Sequence, residues 1–177
     1  EKVVEESQHL LPKVDEGAQD LITKKGEEAF KELVDNLVIE THIPREQIEA
    51  TATEQLAETK YKVVLESMPE GPFYMPKLLG GQTQIIINTD HPFYNEVFAK
   101  GDPWLTEAIK VMLFAMADSE IQIMNDEDRG DFYRQERAKW SEKIRVFLER
   151  LPSYMTQKDV IDIDDSLDGD GIVATED

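Results

Sequence analysis

Residues 82–88, Gln-Thr-Gln-Ile-Ile-Ile-Asn, constrain this chain more than any other stretch. Three successive β-branched residues do not alternate between water and a core, so Ile85, Ile86 and Ile87 read as a strand buried on both faces. Gly80-Gly81 precedes the run and Thr89-Asp90-His91-Pro92 follows it, a turn pair and a breaker cluster. Two shorter extended runs come earlier, Tyr61–Glu66 and a piece beginning at Phe73-Tyr74-Met75. They are separated by the turn cluster Met68-Pro69-Glu70-Gly71-Pro72. Three short strands joined by tight turns predict a small antiparallel meander.

Helical spacing flanks the strands on both sides. Phe30, Leu33, Val34 and Leu37 repeat at the 3–4 residue interval of one apolar helix face. A break and restart follow at Ile43-Pro44, with Pro44 in a first turn and Thr41 as a cap. Glu46 to Lys60 is a polar helix with few core-grade residues, read as exposed or as packed on a partner. After the strands, Thr89 or Asp90 can cap a short helix with Pro92 in its first turn and Phe93, Val97 and Phe98 on its apolar side. Gly101-Asp102-Pro103 ends that helix and opens another, striped by Trp104, Leu105, Ile109, Met112, Leu113, Met116 and Ile123. Asp126 to Leu151 is amphipathic, with Phe132, Tyr133, Trp140, Ile144 and Leu148 inward and Leu151-Pro152 as its close. The expected fold class is α+β. Residues 1–60 form a helical N-terminal arm, and 61–152 an α+β core module with a small antiparallel three-stranded sheet and two long helices packed on it. Residues 153–177 form a disordered acidic tail.

Charge limits the partners. Across 177 residues there are 19 Lys and Arg against 38 Asp and Glu, a formal charge of -19. Such a surface repels nucleic acid phosphates, so direct nucleic acid binding is disfavoured. With no cysteine, disulfides and thiolate metal sites are excluded. No apolar run approaches the ~20 residues of a bilayer span, and no signal-peptide pattern opens the chain, so the expected location is cytoplasmic. The chain begins at Glu1 rather than at a methionine, which suggests a piece of a longer protein.

Four stretches invite a chemical reading. Asp90-His91 could be an oriented acid/base, yet adjacent residues seldom pair in that way. Strand end, cap, first-turn proline and aromatic packing use Asp90, His91, Pro92, Phe93 and Tyr94 completely as a structural joint, anchored by Phe93, Tyr94 and Trp104. Glu32 and Asn36 stand as E-x-x-x-N on a helix, which resembles the N-box of GHKL-type ATPases; the resemblance would make Glu32 the activator of water and Asn36 the holder of Mg²⁺. Between Asn36 and Gly71 there is no glycine for a nucleotide loop, and Glu-rich helices produce the spacing by chance. In the tail, Ser166, Asp168, Asp170 and Asp177 partly fit a calcium loop, but position one lacks Asp and position twelve lacks Glu. Arg129-Gly130-Asp131 opens an amphipathic helix and reads as coincidence. No other metal ligand set and no catalytic residue is assigned.

The order Pro72-Phe73-Tyr74, Gly80-Gly81-Gln82, then Ile-Ile-Ile-Asn-Thr-Asp-His-Pro-Phe-Tyr and the helix LTEAIKVMLFAMADSE resembles a known pattern. It is similar to the region after the ATPase core in bacterial and phage GHKL-type (histidine kinase, gyrase and chaperone-like) ATP-binding proteins. Asn88, His91, Pro92, Phe93 and Tyr94 are its most specific matches. The resemblance implies a parent that uses ATP and Mg²⁺ in an upstream domain, with no cofactor in this stretch. The module itself would be non-catalytic and would serve dimerisation or docking of a partner subunit, the latter through the helix from Glu46 to Lys60. The alternative is a self-contained acidic interaction protein, a DNA mimic or an inhibitor of a nucleic acid enzyme.

Overall fold

A computed structural model describes residues 2–7, 16–123 and 126–167. The elements in chain order are α1 (Lys2–Ser7), α2 (Glu16–Thr41), α3 (Arg45–Glu58), β1 (Tyr61–Glu66), β2 (Tyr74–Leu79), β3 (Gln82–Asn88), a π-type turn (Tyr94–Phe98), α4 (Pro103–Gln122) and α5 (Glu127–Leu167). The class is α+β, a three-stranded sheet with helices packed on it.

The sheet is mixed, which corrects the antiparallel meander. Its order is β1-β3-β2, with β3 antiparallel to β2 (Leu79↔Gln82 to Tyr74↔Ile87) and parallel to β1 (Tyr61↔Thr83 to Glu66↔Asn88). Two features of the sequence account for it. Every residue of β3 is buried, and a strand covered on both faces gains most from a neighbour on each side. Pro76 lies in β2, and a proline lacking a ladder donor belongs on an edge. After β1 the chain therefore crosses the end of β3 before returning as β2. The tip Gly80-Gly81 joins β2 to β3, with Gly80 at φ 55, the positive φ that the first loop position of a II′ hairpin demands.

The sheet buries Ile85 and Ile87 with Tyr61, Phe73 and Tyr74 against Leu113, Phe114 and Ala117 of α4. Phe73 sits edge-on to Tyr74 at 4.8 Å and to Phe93 at 5.0 Å. Helix α2 packs on the hairpin tip, where the Gly80 N–H donates to the Gly26 carbonyl at 2.8 Å. A Cβ on Gly26 would collide with the Gly80 carbonyl, so this crossing requires a glycine. Helix α3 has no side-chain cap; Pro44 occupies its N-cap position. The Thr41 hydroxyl instead serves the end of α2, donating to the Leu37 carbonyl and accepting from the Ile43 N–H.

Two further expectations are corrected. Helix α5 does not close at Pro152 but runs on to Leu167. A proline removes one i→i−4 bond and crowds the carbonyl of Leu148; elongation of an existing helix is still far easier than nucleation. Residues 168–177 lie outside the described residues. Trp104 is 78% exposed and anchors nothing in the core, and Met112 and Phe132 are also exposed. The core face of α4 is instead Ile109, Leu113, Phe114, Ala117 and Ile121. Asp102 caps α4, accepting from the Leu105 N–H at 3.0 Å, with Pro103 directly after it.

Candidate functional site

The Asn88–Tyr94 segment joins β3 to the π-type turn, and its polar atoms are turned inward. Asn88 is fully buried. Its Oδ1 accepts from the N–H groups of Met68 and Asp90, both at 3.0 Å. Its Nδ2 donates to the carbonyls of Met68 and Gly71 at 2.8 and 3.1 Å. One amide thus clamps the segment that carries the chain from β1 across to β2. Within that segment Gly71 N–H closes on the Met68 carbonyl at 2.9 Å, and Glu70 holds φ 61, a conformation that favours glycine.

His91 is also fully buried, but it is not oriented by Asp90. Asp90 accepts from the Ser67 hydroxyl at 2.6 Å. The His91 Nδ1 accepts from the Phe93 N–H at 3.1 Å, which leaves the proton on Nε2, 3.0 Å from the Ser141 carbonyl. The ring caps the following turn on one side and ties it to α5 on the other. Burial pushes its pKa below the ordinary imidazole range, opposed by the Ser141 carbonyl. Pro92 follows, half-buried, and Phe93 is buried. Tyr94 stacks on Phe98 at 6.2 Å, and the Tyr94 carbonyl accepts the closing bond from the Ala99 N–H at 2.8 Å. Ser141 completes the joint, accepting from the Phe73 N–H at 3.0 Å and donating to the Arg137 carbonyl at 2.7 Å.

A second buried network was not foreseen. Glu120 of α4 accepts from the Tyr74 hydroxyl at 2.6 Å and forms an ion pair with Arg137 of α5, whose guanidinium stands 5.6 Å from the Tyr74 ring centre. Both charged side chains are 8% exposed, and the Arg137 Nε is buried without a partner. Burial, then the Glu120 carboxylate, holds the Tyr74 phenol well above its usual range. The signal was in the sequence: Glu120 falls four residues after Met116 and seven after Leu113, on the apolar side of α4. Arg137 sits three residues before Trp140 on the inner side of α5.

The other candidates are placed apart. Glu32 and Asn36 both lie on the exposed side of α2, and neither lines the described cavities. Between them Asp35 pairs with Arg45 at the start of α3. Asp168, Asp170 and Asp177 lie outside the described residues. Among the described residues no group of three or more His, Cys, Asp or Glu could hold a metal ion. Among them, too, no helix is long and apolar enough to cross a membrane.

Two concavities remain on the N-terminal side. One, of about 250 Å³, lies between α2, the hairpin tip and the end of α4, with Tyr61, Leu78 and Ile121 in its wall and Glu27, Lys60 and Asp118 around it. The other, of about 370 Å³, is a groove between α2 and α3 lined by Leu37, Ile43, Ile48 and Ala52. Comparison with protein-family models, with curated proteins and with solved structures finds no match.

Proposed function

We propose that the protein is a non-catalytic association module in which α5 pairs antiparallel with α5 of a second copy. The observation that carries this reading is the position of Phe147, Leu151 and Met155, which are 67%, 47% and 49% exposed. Each stands two turns after a residue packed on the core: Trp140, Ile144 and Leu148. The inner stripe of α5 thus continues past the end of the body, where none of the described residues covers it. Charge favours the antiparallel arrangement. Residues 129–150 carry seven Lys and Arg against four Asp and Glu, whereas 151–167 carry one lysine against four aspartates. Antiparallel copies set the basic half against the acidic half; parallel copies set acid against acid.

The resemblance gives this pairing a setting. A module that follows a GHKL-type ATPase core would hold two ATP-binding domains in a clamp-like dimer, with ATP and Mg²⁺ bound upstream, in the cytoplasm of a bacterium or in a phage-infected cell. Sedimentation of the full chain tests the pairing. A dimer that becomes monomeric in the Phe147→Asp, Leu151→Asp double variant, and that weakens with salt, supports it. A monomer at every accessible concentration overturns it. The α2–α3 groove favours a second reading, docking of a partner subunit. Glu40 and Glu46, next in sequence to the lining residues Thr41 and Gln47, suit an apolar segment flanked by Lys or Arg.

A further inference from the structure

We infer that the α2–α3 groove seats a short amphipathic helix of another protein, with apolar anchors along one side and Lys or Arg beyond them at both ends. The inference rests on the docking reading of this groove and adds the form and charge of its occupant.

The lining sets the form. Leu37, Ile48 and Ala52 make an apolar floor, with Ile48 and Ala52 buried, and Ile43 stands 43% exposed at one end. Gln47, Thr51 and Gln55 make the α3 rim, polar and uncharged. An apolar centre within a polar rim is the anatomy of a protein interface. From Gln47 to Gln55 the groove follows α3 for about 12 Å, enough for anchors at i, i+3 or i+4, and i+7 of a docked helix. Both walls are helices whose own backbone groups are bonded internally. An extended peptide would find no ladder partners there, whereas a helix brings its backbone already satisfied.

The acids set the charge, and all of them lie on described residues. Glu40 falls three residues after Leu37, Glu54 three after Thr51 and Glu58 three after Gln55, spacings that keep each beside the groove. With Glu46 next to Gln47, carboxylates stand at both ends of the apolar floor, and all four are exposed. Arg45 is the only Lys or Arg in residues 32–58, and it is already paired with Asp35 and Glu49. The ends of the groove therefore attract bases, while the floor takes apolar side chains.

The chain's own ends do not supply such an occupant. Residues 168–177 carry four acids and no Lys or Arg. Leu37 stands about 30 Å along α2 from Glu16, and the stretch 8–15 can span at most about 28 Å.

The test is calorimetric titration of the full chain with a synthetic helix bearing leucines at three- and four-residue intervals and two lysines at each end. Its counterparts carry glutamine or glutamate in place of lysine, or a central proline that forbids the helix. The expected result is saturable binding of the lysine peptide, weakened by salt, with amide shifts at Gln47, Thr51 and Gln55. The glutamate and proline peptides should bind at least about tenfold more weakly. Thr51→Arg with Gln55→Arg, both at exposed positions, should weaken the lysine peptide about tenfold without moving the melting temperature. The same charge added at exposed Ser119 and Gln135, as Ser119→Arg with Gln135→Arg, should leave it within about twofold. An equal loss in that distant pair would reduce the binding to general attraction by an acidic surface and overturn the inference. Equal binding of the glutamine peptide or of the proline peptide at these amides would overturn the charge or the helical form, yet leave the docking reading standing. No binding of any peptide would overturn both. Because the shifts are read on α3, the outcome is independent of whether α5 self-associates.

Discussion

Two sets of polar residues in this molecule look equally suggestive as sequence and stand in opposite environments. Asn88, His91, Glu120 and Arg137 are shut in between the sheet and the two C-terminal helices, and their hydrogen bonds run to other parts of the fold. Glu32 and Asn36 lie open on the outer side of α2. What separates them is the consequence of loss. A buried polar partner that disappears strands the group it served, whereas an exposed one is replaced by water. The spacing of polar residues on a helix cannot by itself tell these cases apart.

That contrast can be broken most easily at its strongest point. Glu120→Ala leaves the Arg137 guanidinium buried and uncompensated and should cost about 3–5 kcal/mol in a urea melt. A loss below about 1 kcal/mol would mean that solvent reaches the pair. Asn88→Ala removes the clamp on residues 68–71 and should cost about 2–3 kcal/mol, since the Met68 and Asp90 N–H groups and the Gly71 carbonyl lose their partner together, while the Met68 carbonyl keeps only the Gly71 N–H.

His91 sharpens the comparison through pH. Its folded pKa is depressed, so at acidic pH the unfolded chain takes up a proton that the folded chain refuses. Stability is full above the ordinary histidine value near ~6.5 and falls as pH drops through it, at up to ~1.4 kcal/mol per unit. His91→Gln should remove that part of the loss between about pH 7.5 and about pH 5.5. Equal pH profiles for the two proteins would place the ring in contact with water. At the weak end, Glu32→Ala with Asn36→Ala should change stability by no more than ~0.5 kcal/mol. The same double variant should leave calorimetric titration with an ATP analogue and Mg²⁺ as silent as the parent chain. Nucleotide binding that the variant abolishes would reverse the reading of α2.

The sequence yields the bounds of β1 and β3 to the residue, because apolar runs between turn clusters leave little choice. It conceals the order of the strands. Tight turns suggested neighbours in sequence would be neighbours in space, and Pro76, which argues for an edge, was the overlooked signal. Trp104 was misplaced for a different reason. Helix α4 is apolar on most sides, so its stripe has no readable direction until Glu120 is seen to face inward. The Glu120–Arg137 pair was hidden because it joins two helices, and no local spacing links them. At Pro152 the local rule for stopping a helix was sound, but the continuing turns of α5 outweighed it.

The contact between Gly26 and Gly80 has a use as a reporter. One backbone amide, that of Gly80, points out of the hairpin and is protected by a carbonyl from another element. Its hydrogen exchange times the departure of α2 from the sheet, separately from the melting of the sheet itself. If α2 leaves first, Gly80 will exchange ahead of the β3 amides, and the molecule will open from its N-terminal side, where the cavity lies.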